Sequence, residues 1–180
     1  MTCLMNRSIL VKEMEEKDKE MVRRVLVDSY QQFEAVFDPE RWTDYLKELI
    51  SSIDHPNIDK LLIAKRDKEI LGSLQLFPSA EKAYMKWDVQ IDAPIIRFLG
   101  VHPQARGLGV GRKLLKAAIS YLETQRATSV FLHTTDTMEQ AIRLYEGFGF
   151  IRDLSKEIYT DDRLIKCYRF DLNKKTGDRK

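Results

Sequence analysis

The sequence predicts a mixed α/β fold, with a central mixed sheet of about seven strands flanked by about four helices. Three observations predict it. Short apolar runs alternate with segments whose apolar residues recur every three or four positions. Glycine, proline and Asx turn chemistry falls at the joins between them. A continuous apolar strand runs through a glycine loop directly into an amphipathic helix. No internal repeat or linker divides the 180 residues, so residues 8–172 read as one domain of ordinary size.

Ser8–Met14 reads as the first strand. From Asp18, Val22, Val25, Leu26, Tyr30 and Phe33 keep helical spacing. Asp38-Pro39 supplies an N-cap followed by proline in the first turn. Trp42, Tyr45, Leu46, Leu49, Ile50 and Ile53 then give a second helix one apolar face. The apolar runs Lys60–Lys65 and Ile70–Phe77, joined by the charged turn Arg66–Glu69, predict a hairpin. Pro78–Pro94 reads as irregular. Ile95–Val101 is apolar almost throughout, as a strand buried on both faces would be. Gly107–Gly111 opens a helix with the stripe Val110, Leu114, Leu115, Ala118 and Leu122. Ser129–Thr135 is a further strand. Thr137 and Gln140 form a capping-box pattern for a helix over Met138–Glu146, which Gly147 is placed to end. Phe150–Tyr159 and Leu164–Leu172 read as a closing hairpin, and the polar tail 173–180 as frayed.

Composition narrows the function classes. The chain is 43% hydrophobic and 32% charged, with 30 basic and 28 acidic residues. No basic block marks a nucleic-acid footprint. Cys3 and Cys167 are far apart and lack the spacing of a zinc site or a disulfide framework. Two free thiols and no apolar leader point to the cytoplasm. No run is long enough to span a bilayer. No metal, nucleic-acid or membrane partner is expected.

The informative segment is Phe98–Leu115, FLGVHPQARGLGVGRKLL. Glycines at 107, 109 and 111 remove side chains, so that consecutive backbone N–H groups can approach an anion. The helix start adds unsatisfied donors and partial positive charge. Together these suit a phosphate, and Arg106 and Arg112 can pair with it directly. A tight strand-to-helix turn with no ligand would read the same way locally. A P-loop needs Lys-Ser/Thr where Arg112-Lys113 stand, and a dinucleotide fingerprint needs glycine at Arg112. A methyltransferase glycine loop would normally follow the first strand of a doubly wound sheet, whereas this one lies past mid-chain.

The segment resembles motif A of the GNAT superfamily of N-acetyltransferases, V-x-P-x-x-R-G-x-G-x-G-x-x-L-L. Val101, Pro103, Arg106, Gly107, Gly109, Gly111, Leu114 and Leu115 all fall in place. Downstream, AIRLYEGFGF at Ala141–Phe150 is similar to the family's motif B. The resemblance implies a GNAT-like fold and acetyl-CoA as co-substrate. It assigns cofactor contacts to Leu99, Gly100, Val101, Arg106, Gly107, Leu108, Gly109, Val110, Gly111 and Arg112. The Leu99–Val101 backbone would meet the pantetheine arm between splayed fourth and fifth strands. The Val101 amide would polarise the acyl carbonyl. Tyr145 takes the family's LYE position and the role of proton donor to the departing thiolate. The fourth strand holds no acid to act as general base. His133, twelve residues before Tyr145, stands where some relatives carry a glutamate, and its ordinary pKa suits the work. Met138 replaces a pantetheine-binding asparagine common in relatives and cannot reproduce its hydrogen bonds.

These readings imply direct transfer to a primary amine of a small molecule or peptide, without a covalent acyl-enzyme, and are compatible with a homodimer. Tyr30, Phe33, Phe37 and Trp42 could line the acceptor site, as could Tyr84 and Trp87; helical spacing makes the helical ones more often core than pocket. Two other classes stay open: an inactive CoA-binding or sensory module, and an S-adenosylmethionine-dependent methyltransferase.

Overall fold

The computed structural model describes residues 8–160 and 162–172; Cys3 and the tail 173–180 lie outside them. The elements follow the expected order. They are β1 (Leu10–Glu13), α1 (Lys19–Tyr30), α2 (Pro39–Ser51), β2 (Lys60–Arg66), β3 (Glu69–Phe77), α3 (Ala80–Ala83), β4 (Ile95–Val101), α4 (Val110–Thr124), β5 (Ser129–Thr134), α5 (Glu139–Phe148), β6 (Ile151–Arg152), β7 (Ile158–Tyr159) and β8 (Leu164–Asp171). The strand order is β1-β2-β3-β4-β5-β8-β6, with β7 also paired to β8. The β1–β2 and β5–β8 ladders are antiparallel, the second running from Ser129 opposite Asp171 to Thr134 opposite Lys166. β4 and β5 pair in parallel because α4 carries the chain back between them.

Local chemistry accounts for most boundaries. The Asp38 carboxylate accepts the Arg41 N–H at 3.0 Å, with Pro39 in the first turn of α2. The two-residue loop between β2 and β3 holds Asp67 at φ 57, a left-handed conformation that a short Asx side chain tolerates.

Three expectations are corrected. The segment 78–94 contains α3, because the Ser79 hydroxyl accepts the Lys82 N–H and starts a helical turn. The strand expected over Phe150–Tyr159 is broken into β6 and β7. There the Asp153 carboxylate takes both the Ser155 N–H (3.1 Å) and hydroxyl (2.6 Å), folding Leu154–Lys156 into a 3-10 turn. α5 begins at Glu139 without the expected side-chain cap, since the Thr137 hydroxyl bonds that of Thr135 at 2.8 Å. It ends at Gly149, not Gly147. Gly149 has φ 118, and its N–H and that of Phe150 return to the Glu146 and Tyr145 carbonyls, the Schellman pattern.

The chain forms two compact units. The first takes the chain up to Asp54 with Leu61–Leu74 and Phe98–Ala117; Leu26, Leu49, Ile63, Leu74, Leu114 and Leu115 fill its core. The second takes His55–Lys60, Gln75–Arg97 and the chain from Ala118 on. Its core includes Phe77, Ala80, Ala83, Tyr84, Ile91, Ile95, Phe131 and Cys167.

Candidate active site

The end of β4, from Phe98 to Val101, belongs to the first unit and leads into the glycine loop. The parallel ladder with β5 comprises Ile95 opposite Phe131 and Ile96 opposite Leu132, so β4 continues for five residues past its end. Phe98 then adopts φ 48. A bulky side chain in the left-handed region is a genuine outlier and interrupts the pleat. An aromatic cluster holds it there. The ring of Phe98 lies 6.3 Å from Tyr30 and 6.5 Å from Tyr45, and Phe37 stacks on Tyr45 at 5.4 Å. Tyr30, Phe33, Phe37 and Trp42 all belong to this cluster. The Tyr30 hydroxyl donates to the Leu99 carbonyl at 3.2 Å, taking up a backbone acceptor of the strand. Gly100 lets α1 approach closely, since a Cβ there would meet Ser29 at 3.1 Å and Leu26 at 3.3 Å.

Left-handed strain of this kind makes an unusual prediction. Phe98→Ala is expected to cost about 3–5 kcal/mol as a buried aromatic truncation. Phe98→Gly should cost about 1 kcal/mol less, because glycine alone occupies positive φ without penalty. At an ordinary strand position glycine would be the worse residue. Urea denaturation of both variants checks the order.

The loop is built from the backbone. His102 accepts the Gln104 N–H and caps the 3-10 turn Pro103–Ala105. One Nη of Arg106 donates to the Ser29 carbonyl at 3.2 Å, which ties the loop to the end of α1. Gly107 and Gly109 have φ 78 and 76, on either side of the exposed Leu108. The helical ladder opens with the Lys113 N–H on the Gly109 carbonyl at 3.0 Å. The Val110 and Gly111 amides therefore precede the first helical bond, in the position that attracts anions. Arg112 is exposed on the first turn of α4. Two left-handed glycines before a helix start form a backbone nest suited to phosphate.

In the second unit, Tyr145 lies on α5 and packs its ring 5.8 Å from Phe150. Burial pushes its hydroxyl well above the ordinary tyrosine pKa. His133 has protein partners on both ring nitrogens, with Nδ1 2.8 Å from the Tyr84 hydroxyl and Nε2 2.9 Å from the Lys156 carbonyl. Burial lowers its pKa, the Lys156 carbonyl opposes that, Arg97 lowers it further and Glu157 raises it. Asp136 pairs with Lys166. Cys167 is buried opposite His133, and burial pushes its thiol up to about 12. Among the described residues, no cluster of three or more His, Cys, Asp or Glu could hold a metal, and no helix is long and apolar enough to cross a membrane.

A sequence profile of the Acetyltransferase (GNAT) family matches residues 20–150, well over half of the chain. The chain belongs to the GNAT acetyltransferase family. The GNAT fold is equally plain in solved structures. The chain superposes with TM-score 0.67 and 17% identity on the PaiA N-acetyltransferase of Thermoplasma acidophilum, solved in complex with coenzyme A, covering 91% of this chain and 99% of that one. An acetyltransferase of Corynebacterium glutamicum, described as histone acetyltransferase HPA2 and related acetyltransferase, gives TM-score 0.68 at 19% identity, over 90% of this chain and 95% of that one. Among curated relatives, the mycothiol acetyltransferase of Acidothermus cellulolyticus is 46% identical over 55 residues, 31% of this chain and 17% of that protein. That of Thermomonospora curvata is 30% identical over 118 residues, 63% of this chain and 36% of that protein. The GNAT chain thus spans about a third or less of the length of these curated relatives.

Sequence reasoning missed the left-handed Phe98, the Tyr30–Leu99 bond and the Tyr84–His133 pair. Only the last left a trace: Tyr84 and Trp87 are aromatic residues in a stretch read as irregular.

Proposed function

We propose that this GNAT protein transfers the acetyl group of acetyl-CoA to a primary amine of a small molecule or peptide, by direct attack. The observation carrying this reading is the pair of left-handed glycines, Gly107 and Gly109, set immediately before the N-terminus of α4. Residues Arg106–Arg112 would hold the phosphates through main-chain N–H groups, with Arg112 and the remaining donors of Arg106 adding charge. Leu99–Val101 would receive the pantetheine arm, and the Val101 amide would bind the acyl oxygen as it gains charge. When bound, acetyl-CoA supplies the activated acyl group. Tyr145 would hand a proton to the leaving sulfur; its raised pKa keeps it protonated at neutral pH. Support also comes from the coenzyme A complex of the Thermoplasma neighbour.

Calorimetry with acetyl-CoA and with S-adenosylmethionine tests the donor, and an amine panel with thiol detection tests the reaction. CoA binding with no acceptor in the panel would favour the inactive, sensory reading. Binding of S-adenosylmethionine alone would overturn acetyl transfer. The panel should cover polyamines, aminoglycosides, amino acids and peptide N-termini.

Direct transfer makes its own prediction. A nucleophilic cysteine needs a lowered pKa, and Cys167 has a raised one. Cys167→Ser should therefore keep turnover within about twofold, and wild type incubated with acetyl-CoA alone should gain no stable 42-dalton-class adduct on Cys167 by mass spectrometry. An acylated Cys167 with an inactive variant would point to a covalent route instead.

A further inference from the structure

The structure joins His133 to Tyr84, a residue that the sequence offers only as a lining of the acceptor site. A carbonyl only accepts, so the Lys156 carbonyl, 2.9 Å from Nε2, fixes the imidazole hydrogen on that nitrogen. In the neutral ring Nδ1 is then a bare acceptor, and the Tyr84 hydroxyl at 2.8 Å must be its donor. Carbonyl, imidazole and hydroxyl thus form a chain in which a base is oriented by one group and addressed to another. The same arrangement, with a carboxylate for the carbonyl, activates hydroxyls in hydrolytic triads.

We propose that Tyr84 is a catalytic residue, its hydroxyl oxygen taking a proton from the acceptor's ammonium group while its own proton passes to His133 Nδ1. This rests on the acetyl-transfer reading. The proton balance closes. One N–H bond of the ammonium breaks and an O–H bond forms on Tyr84; the original Tyr84 O–H breaks and an N–H forms on Nδ1. The products are a free amine with its lone pair, an unchanged phenol and an imidazolium. Release of that proton to water resets the pair.

The surroundings fit the imidazole end of the step. Burial raises the Tyr84 pKa, Arg97 lowers it, and Cys167 and Tyr145 raise it, so Tyr84 stays a neutral relay. Tyr145, the proposed donor to the leaving sulfur, is thus among the groups that act electrostatically on Tyr84. The guanidinium of Arg97 sits 5.1 Å from the centre of the Tyr84 ring and is held by the Ala83 carbonyl at 2.7 Å. The groups facing His133 are Tyr84 and Trp87 from the α3 side, Arg97 of β4, Cys167 of β8, and Lys156 and Glu157 before β7. Of these, the Lys156 carbonyl and the Glu157 carboxylate stabilise an imidazolium. Glu157 accepts the Arg152 Nε at 2.6 Å through Oε1, and its buried Oε2 has no hydrogen bond among the described residues. Lys156 is itself held by its Nζ on the Gln90 carbonyl at 2.7 Å, which fixes the turn that supplies the orienting carbonyl.

The test uses the full-length protein and an amine identified by the panel. Tyr84→Phe is expected to lower kcat about ten- to hundredfold, with acetyl-CoA affinity unchanged. His133→Asn keeps an oxygen where Nδ1 stands and so keeps the hydrogen bond, but cannot be protonated. It should lose the acid limb of the kcat–pH profile, which in wild type lies below the ordinary histidine range because the imidazole pKa is lowered. The double variant should be no slower than the slower single one, since the two residues act as a unit. Wild-type turnover and profile in Tyr84→Phe, or losses that add in the double variant, would overturn the relay alone. If Tyr84→Phe does not fold, an unchanged acid limb in His133→Asn overturns it. A wild-type protein inactive toward every amine overturns the acetyl-transfer reading as well.

Discussion

Acetyl-CoA binding is expected to disappear in Gly109→Glu. Gly109 sits at φ 76, where any side chain is strained, while the position of its missing Cβ is open, with nothing within 4 Å. These two facts separate two effects. Gly109→Ala meets no clash and suffers only the left-handed penalty, about 1–2 kcal/mol. If the loop relaxes to relieve it, affinity should fall about five- to thirtyfold. Glutamate adds a carboxylate in front of the Val110 and Gly111 amides, the donors proposed to meet phosphate. The carboxylate both repels the incoming anion and can occupy those donors itself. The expected loss is a thousandfold or more, on the order of 4 kcal/mol, which takes a micromolar ligand out of calorimetric range. The variant should remain folded, because residue 109 is exposed. An acetyl-CoA affinity within tenfold of wild type in folded Gly109→Glu would remove the glycine loop as the phosphate site.

The glycine loop and the element order were legible in the sequence because both rest on local chemistry. Alternating glycines after an apolar strand, Asp38-Pro39, and the stripe through Leu114, Leu115 and Ala118 each state their structure within a few residues. What stayed hidden depends on contacts distant in sequence. Phe98 is an unremarkable strand residue by propensity; its left-handed backbone is imposed by an aromatic cluster drawn from α1, α2 and the segment between them. Arg106 reads as a phosphate ligand by charge, yet one of its donors is committed to the Ser29 carbonyl 77 positions away in the chain. His133 reads as a lone histidine in a strand until Tyr84, 49 positions earlier, supplies its partner. The α5 boundaries failed for a nearer reason: two glycines two residues apart offered two ends, and only the Schellman bonds at Gly149 chose between them.

Turnover in Tyr145→Phe is expected to fall ten- to thousandfold, about 1.4–4 kcal/mol of lost transition-state stabilisation. The substitution removes one oxygen and keeps the ring, so the packing of residue 145 on Phe150 survives. Thermal unfolding should therefore shift by only a few degrees, and acetyl-CoA affinity should hold. The raised pKa also fixes the sign of a pH effect. A donor must be protonated to act, so the rate should stay level through neutral pH and fall only above the ordinary tyrosine pKa of about 10. In Tyr145→Phe that basic limb should vanish along with most of the rate. The comparison with Tyr84→Phe is informative, because Tyr84 is assigned to the acid limb through His133 and Tyr145 to the basic one. A leaving group of lower pKa needs less help from a donor, so an activated thioester should restore much of the loss in Tyr145→Phe and little of that in Tyr84→Phe. Equal rescue of both variants would mean that the two hydroxyls share one role, and unchanged turnover in Tyr145→Phe would assign Tyr145 to packing.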